Sequence, residues 1–318
     1  MKVLLAGELT AGGLTSSLAH GMAGVENAVS VDLYGESSAS IDDRSLAARA
    51  RRYSARRNVG KRLVELVAEH EPDWLLLVKG RGLSNAVSQV RRSGTKVACY
   101  YPDNPFWTAG DPGALERLAR CDLAILWSHR IAQRFQAVGG RSAVVPFGYD
   151  ERWYPPAEPD ADRDGIVFLG TWSPRRERYL AALDGLGLTV CGSGWNNAAS
   201  IPNTVATYEG AAGALLARAA IGINLLHPQC AGAHNMRTRE IVAAGAMQLC
   251  DPGHDGTPLL ANVDCEWFTS PQDLRTRALR LLHERDERID VARRAQAKTL
   301  SDTYSQRAAT IVAQLEAA

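Results

Sequence analysis

Residues Ile221–Asp251 read IGINLLHPQCAGAHNMRTREIVAAGAMQLCD, and this stretch decides the fold. An apolar strand, Ile221–Leu226, runs into a loop holding His227, His234 and Asn235. A helix carrying Arg237, Arg239 and Glu240 follows, then the small-residue stop Ala244-Gly245-Ala246 and a second apolar strand, Met247–Cys250. This is one strand–loop–helix–strand unit, with polar groups gathered at the C-terminal edge of its first strand. In open α/β sheets that edge is where ligands bind. A helix starting there offers free N–H groups and a positive dipole end to an anion. Arg237, Glu240 and Ala244 fall at i, i+3 and i+7 and so share one helix face.

The same alternation extends outward. In the second half, strands are expected at Gly165–Leu169 and Leu188–Cys191, with helices at Arg176–Leu183, Tyr208–Arg218 and Thr238–Ala244. Helical segments at Pro271–Glu284 and Asp290–Leu315 close the chain. In the first half, strands are expected at Val3–Ala6, Ala28–Leu33, Trp74–Val78, Lys96–Tyr101, Leu123–Trp127 and Ala143–Val145. Helices from Leu14, and at Ser45–His70, Leu83–Ser93, Ala114–Arg120 and His129–Ala137, separate them. Such a βαβα series argues for parallel, doubly wound sheets. Tyr149–Arg163 holds Pro155, Pro156, Pro159 and many charges, and reads as a linker. The expectation is an α/β chain of two Rossmann-like domains, 1–148 and 149–300, facing an interdomain cleft. Residues 301–318 form a C-terminal helix placed to pack back on the first domain.

Size and composition agree. The 318 residues exceed the roughly 250–300 at which single cores split. The chain is 46% hydrophobic and 22% charged, as in soluble globular proteins. A formal net charge of +1 argues against nucleic acid as the main partner. No apolar run reaches the ~18–20 residues that span a bilayer. MKVLLAGELTAGG reads as a first strand and glycine loop, not a signal peptide. The six cysteines, Cys99, Cys121, Cys191, Cys230, Cys250 and Cys265, form no CxxC pair and sit mostly beside apolar runs. That suits reduced core thiols in a cytoplasmic protein. The seven histidines include no HxxxH pair, so no dedicated metal site is expected.

Further polar constellations follow strand ends. Gly7-Glu8-Leu9-Thr10-Ala11-Gly12-Gly13 lets backbone approach a ligand, or makes a tight turn, but it is neither GxGxxG nor a P-loop. In Tyr100-Tyr101-Pro102-Asp103-Asn104-Pro105-Phe106-Trp107, prolines restrict Asp103, and the aromatics suit a sugar ring. Asp103 reads as a general base or as a loop cap. Leu169-Gly170-Thr171-Trp172-Ser173-Pro174-Arg175-Arg176 joins a glycine, hydroxyls and two arginines whose forks fit a diphosphate. Cys191-Gly192-Ser193-Gly194-Trp195 opens a loop in which Trp195 lies near a base or packs a turn. A basic run, Arg44, Arg49, Arg51, Arg52, Arg56, Arg57, Lys61 and Arg62, reads as a solvated helix face. Its alternatives are contact with nucleic acid, an anionic acceptor or, peripherally, a membrane surface.

Taken together these residues resemble the GT-B glycosyltransferases. The second half is similar to the group-1 type, nearest the spore-maturation CgeB-like branch. The resemblance rests on Ile166–Leu183, Val190–Trp195 and Ile223–Asp251, with VPFGYDERWYPP (Val145–Pro156) similar to the family's bridge. It implies a nucleotide-sugar donor bound by the C-terminal domain, with Glu240 matching the ribose-binding glutamate. Gly170 matches the glycine of the diphosphate loop, and Arg175 or Arg176 its basic residue. Gly192, Trp195, Asn235 and Arg237 complete the expected donor set. The acceptor hydroxyl, on a small molecule or glycan, is expected near Gly12, Gly13, Asp103 and Trp107. No cofactor or metal is implied, since dipoles and basic side chains stabilise the departing diphosphate. One departure stands out. Retaining members often carry a Glu-x7-Glu pair, but Gly232 stands eight positions before Glu240. His234 and Asn235 are candidates for that role, whereas Asp103 as base suits inversion, so the stereochemistry is open. The competing readings are an epimerase or hydrolase of the same fold, a non-catalytic sugar-binding module, and a DNA-modifying transferase using the basic run.

Overall fold

The computed structural model describes every residue except 35–45, 161, 199, 202–203, 206–210, 231–232, 254 and 256–258, and it leaves out the side chains of 46–57, 204–205 and 211. Arg44 and Gly232 therefore lie outside the described residues, as do the basic side chains from Arg49 to Arg57. Of that run, Lys61 and Arg62 are exposed, and Lys61 pairs with Glu65 at 3.5 Å.

The chain forms two compact units. The first, Met1–Pro146 with Tyr304–Ala318, is built on β1 (Val3–Gly7), β2 (Ala28–Asp32), β3 (Trp74–Val78), β4 (Lys96–Tyr101), β5 (Leu123–Leu126) and β6 (Ser142–Val144). These pair in parallel in the order β2-β1-β3-β4-β5-β6. The central strands β1 (VLLAG) and β3 (WLLLV) are buried throughout, which is why they read as unbroken apolar runs. Helices α1 (Leu14–Met22), α2 (Leu46–His70), α3 (Ser84–Arg92), α4 (Ala114–Ala119) and α5 (His129–Ala137) make the crossovers. The chain order reverses at β1, so the switch point lies between β1 and β3.

The second unit, Phe147–Thr303, contains β7 (Asp164–Leu169), α6 (Pro174–Ala181), β8 (Leu188–Cys191), β9 (Thr204–Val205), α7 (Ala211–Arg218) and β10 (Ala219–Asn224). It continues through α8 (Arg237–Ala243), β11 (Met247–Cys250), β12 (Glu266–Trp267), α9 (Pro271–His283) and α10 (Arg285–Thr299). Its sheet order is β12-β11-β10-β7-β8-β9, again parallel, with the switch point between β7 and β10. Alternation along β7 separates two apolar layers. Ile166 and Phe168 join Leu180, Ile223, Leu249 and Leu274 under α6 and α9. Val167 and Leu169 join Leu216, Ile241 and Ala244 under α7 and α8. Gly222 lets α8 sit close, since a Cβ there would lie 2.5 Å from a methyl of Ile241.

The units divide at Pro146/Phe147 and Thr303/Tyr304, not at 148/149 and 300/301. Tyr149 explains the difference. Its N–H donates to the Asp302 carbonyl at 3.0 Å, and its hydroxyl donates to the Leu300 carbonyl at 2.7 Å, so both segments belong to the second unit. The proline-rich Tyr149–Arg163 segment is packed on that unit: Tyr154 is buried, and Ala157 N–H donates to the Ala243 carbonyl. The single helical segment expected over Asp290–Leu315 is two helices. α10 stops at Thr299, Asp302 N–H turns back to the Thr299 carbonyl, and α11 (Tyr304–Glu316) packs on α1 in the first unit. The short strands β9 and β12, two residues each, carry too little pattern to be read from sequence.

Candidate functional site: the C-terminal edge of the second sheet

β7 and β10 diverge at the switch point, and two arginines from the start of α6 span the gap. Ser173 caps α6 by accepting from Arg176 N–H at 3.3 Å, with Pro174 in the first turn. That cap aims Arg175 and Arg176 along the strand ends. Arg176 donates to the Thr171 carbonyl (2.8 Å) and hydroxyl (3.1 Å), and across the switch point to the Leu225 carbonyl (3.1 Å). Arg175 donates to both oxygens of Asp251 at 2.9 and 2.6 Å, and its guanidinium stands 4.9 Å from the centre of the Tyr179 ring. Asp251 follows β11 directly and also accepts from Leu226 N–H at 2.8 Å. The ends of β7, β10 and β11 are thereby tied together.

The loops after β7 and β8 lace into each other. Gly170 N–H donates to the Cys191 carbonyl at 2.9 Å, and Trp172 N–H to the Ser193 carbonyl at 2.9 Å. Gly194 sits at φ +81°, where a Cβ would lie 3.3 Å from the Trp172 Cβ, and Gly192 at φ +147°. At Gly170 a Cβ would press on the Phe168 ring at 2.8 Å. Trp195 is buried and donates its indole N–H to the Gly170 carbonyl at 2.7 Å. In this position it is a core side chain holding the loop, so it does not offer a face to a base.

A buried polar network fills the floor between β10 and α8. Asn224, at the end of β10, donates its amide to Asn235 Oδ1 (3.1 Å) and Thr238 Oγ1 (3.0 Å). His234 Nδ1 is 2.7 Å from Thr238 Oγ1, and Nε2 is 2.8 Å from the Gly253 carbonyl. A carbonyl only accepts, so Nε2 carries the hydrogen. In the neutral ring Nδ1 then accepts from the Thr238 hydroxyl. His234 is 1% exposed with both nitrogens in these bonds, so it braces the loop and does not face a substrate. Asn235 stands at the mouth of the same network. Asn224, Thr238 and Asp251 were not foreseen. The one sequence signal was an asparagine inside an otherwise apolar strand and an aspartate directly after another.

Glu240 is nearly buried on α8. Arg237, one turn earlier, lies on its carboxylate and also donates to the Tyr154 hydroxyl at 2.8 Å. Burial pushes the Glu240 carboxyl up and Asp150 adds to that, while the Arg237 guanidinium holds it down. Its Oε2 is the oxygen that Arg237 contacts.

In the first unit the expected acceptor-side residues lie at the ends of β1 and β4. Gly12 takes φ +68°, and Gly13 precedes α1. Asp103 pairs with Lys79 at 3.1 Å and is about one-third exposed. Lys79 itself follows β3 in the left-handed region, φ +61°. Beneath it the buried Arg117 donates to the Lys79 carbonyl at 2.7 Å and to Asp111 at 2.5 Å. Trp107 is exposed, while its neighbour Phe106 is covered by the Arg134 guanidinium at 4.1 Å.

All six cysteines are buried free thiols. Among the described residues no three His, Cys, Asp or Glu side chains gather to hold a metal ion, and no helix is long and apolar enough to cross a membrane.

Residues 175–313, a little under half of the chain, match the family model described as Glycosyl transferase-like. No curated protein sequence matches the chain. Among solved structures the chain is similar over its full length to HepE of Anabaena in complex with UDP-glucose, at 13% identity and a TM-score of 0.70, with all of that chain covered. It is equally similar to sucrose-phosphate synthase of Thermosynechococcus elongatus, at 13% identity, TM-score 0.70 and full coverage of both chains. UDP-GlcNAc 2-epimerase of Neisseria meningitidis, bound to UDP-GlcNAc, matches at 10% identity and TM-score 0.60, again over both whole chains. The fold is therefore that of the GT-B glycosyltransferases, an α/β chain with two parallel-sheet Rossmann-like units.

Proposed function

We propose that this chain is a glycosyltransferase that takes a nucleotide-sugar donor at the C-terminal edge of the Phe147–Thr303 sheet. The observation that carries the reading is Glu240. It is a buried carboxylate, an oxygen acceptor paired with Arg237, on the helix that follows the switch-point strand, within the segment similar to glycosyl transferases. A ribose diol is the kind of donor such an oxygen accepts from. Arg176 is the diphosphate contact at the β7 loop, since it already reaches across the switch point. Arg175 acts through Asp251 as the brace behind it. Gly170, Gly192 and Gly194 keep the loops low enough for backbone to approach the ligand.

The donor reading extends to a UDP-hexose, by likeness to the HepE and sucrose-phosphate synthase folds. The transfer goes without metal to a hydroxyl of a small molecule or glycan, with Asp103 as the general base beside Lys79. The CgeB-like branch and a cytoplasmic setting belong to the same proposal; six buried free thiols support the latter. Incubation with UDP-glucose and a panel of hydroxyl acceptors tests it, reading UDP release and sugar-bearing product. UDP and product appearing together support transfer, while donor left intact with every acceptor argues against it.

The likeness to UDP-GlcNAc 2-epimerases supports a second reading, rearrangement or hydrolysis of the nucleotide sugar itself. Product analysis without acceptor separates the two, because an epimerase changes the sugar in its absence.

A further inference from the structure

Arg237 and Glu240 stand one turn apart on α8, and the guanidinium lies directly on the carboxylate. The pair is nearly dry, with side chains 13% and 6% exposed. Tyr154 anchors the guanidinium from the other side, through its hydroxyl at 2.8 Å and with its ring centre 5.8 Å away. Among the described residues, Arg237 attracts and Asp150 repels the Glu240 carboxylate. Arg237 thus covers the carboxylate that the donor-site reading assigns to the ribose.

We propose that Arg237 is a charge-swapping latch that makes the site demand a diol and an anion in the same ligand; the proposal rests on the donor-site reading above. At rest the guanidinium neutralises Glu240. A diol alone would have to strip a buried carboxylate of its cation. An anion alone would draw Arg237 away and leave Glu240 buried and unpaired. A nucleoside diphosphate supplies both partners at once. Its ribose hydroxyls donate to Glu240, and its phosphates receive Arg237, so no charge is stranded. Arg237 is then a specificity-determining residue that discriminates nucleoside diphosphates from nucleosides and from free anions.

The test is titration calorimetry of pyrophosphate, uridine and UDP against the wild type, Glu240→Gln and Tyr154→Phe. Each variant loosens the latch from a different side, so one that fails to fold leaves the other. The latch predicts that both variants bind pyrophosphate tighter, by about fivefold or more. It further predicts that Arg237→Gln weakens UDP by at least about tenfold and cancels the gain from Tyr154→Phe in the double variant. A merely structural pair would give unchanged or weaker pyrophosphate binding. That result, in a wild type that binds UDP, overturns the latch and leaves the donor site standing. A wild type that binds neither UDP nor pyrophosphate overturns both.

Discussion

Arg175 and Asp251, 76 residues apart in sequence, meet through two parallel hydrogen bonds of 2.9 and 2.6 Å at the mouth of the second sheet. The same carboxylate accepts from Leu226 N–H, so one side chain fixes the start of α6, the end of β11 and the loop after β10. Asp251 is almost covered, while Arg175 is more than one-third exposed. Replacing Asp251 by Ala is expected to destabilise the protein by about 2–3 kcal/mol, below the figure for a fully buried pair because water reaches Arg175. Urea unfolding of the two proteins checks this. A loss under about 0.5 kcal/mol, the range of ordinary surface changes, would show that the pair holds nothing.

Gly245 ends α8 at φ +79°, and a Cβ there would run into the Ala157 carbonyl oxygen and the Arg163 guanidinium. Both obstacles are pinned, Arg163 by bonds to the Glu158 and Leu216 carbonyls. Gly245→Ala combines left-handed strain with a steric clash, and is expected to cost about 2–4 kcal/mol. A thermal melt within a degree of wild type would contradict that.

Tyr149 ties the two ends of the second unit through its hydroxyl bond to Leu300. Burial, with Glu151 and Asp302 nearby, pushes its phenol up to about 12. In the unfolded chain a tyrosine ionises near ~10. The native state therefore holds its proton over a window in which the unfolded state has lost one, and stability falls as the pH rises through that window. Tyr149→Phe is expected to cost about 1 kcal/mol at neutral pH, from the lost bond. The gap to wild type should narrow above pH ~10. Denaturant melts at neutral and alkaline pH measure it; a gap that widens with pH would reverse the assignment.

The fold was legible because its central strands are buried on both faces. Trp74–Val78 and Leu188–Cys191 read directly as strands, while Pro102 marks the end of Lys96–Tyr101 and Gly245 the approach to Met247–Cys250. What escaped depends on pairing between distant segments. Tyr149 does not announce that it will bond Leu300, so the linker was placed too late and the last two helices were read as one. In the candidate site, sequence points to strand ends but not to which polar groups face inward. The sequence reads His234 as a site residue and Trp195 as either near a base or packing a turn; their partners, the Gly253 and Gly170 carbonyls, turn both into the interior. Asn224 was passed over as part of an apolar strand, although it is the hub of the buried network.

The most direct measurement is the affinity of UDP and UDP-glucose, taken calorimetrically on the wild type and on Glu240→Ala without added metal. The account predicts binding to the wild type and at least about a tenfold loss in the variant, equivalent to roughly 1.4 kcal/mol, with the variant still folded. Equal affinity in the two proteins, or no binding of any nucleotide sugar to the wild type, would contradict it.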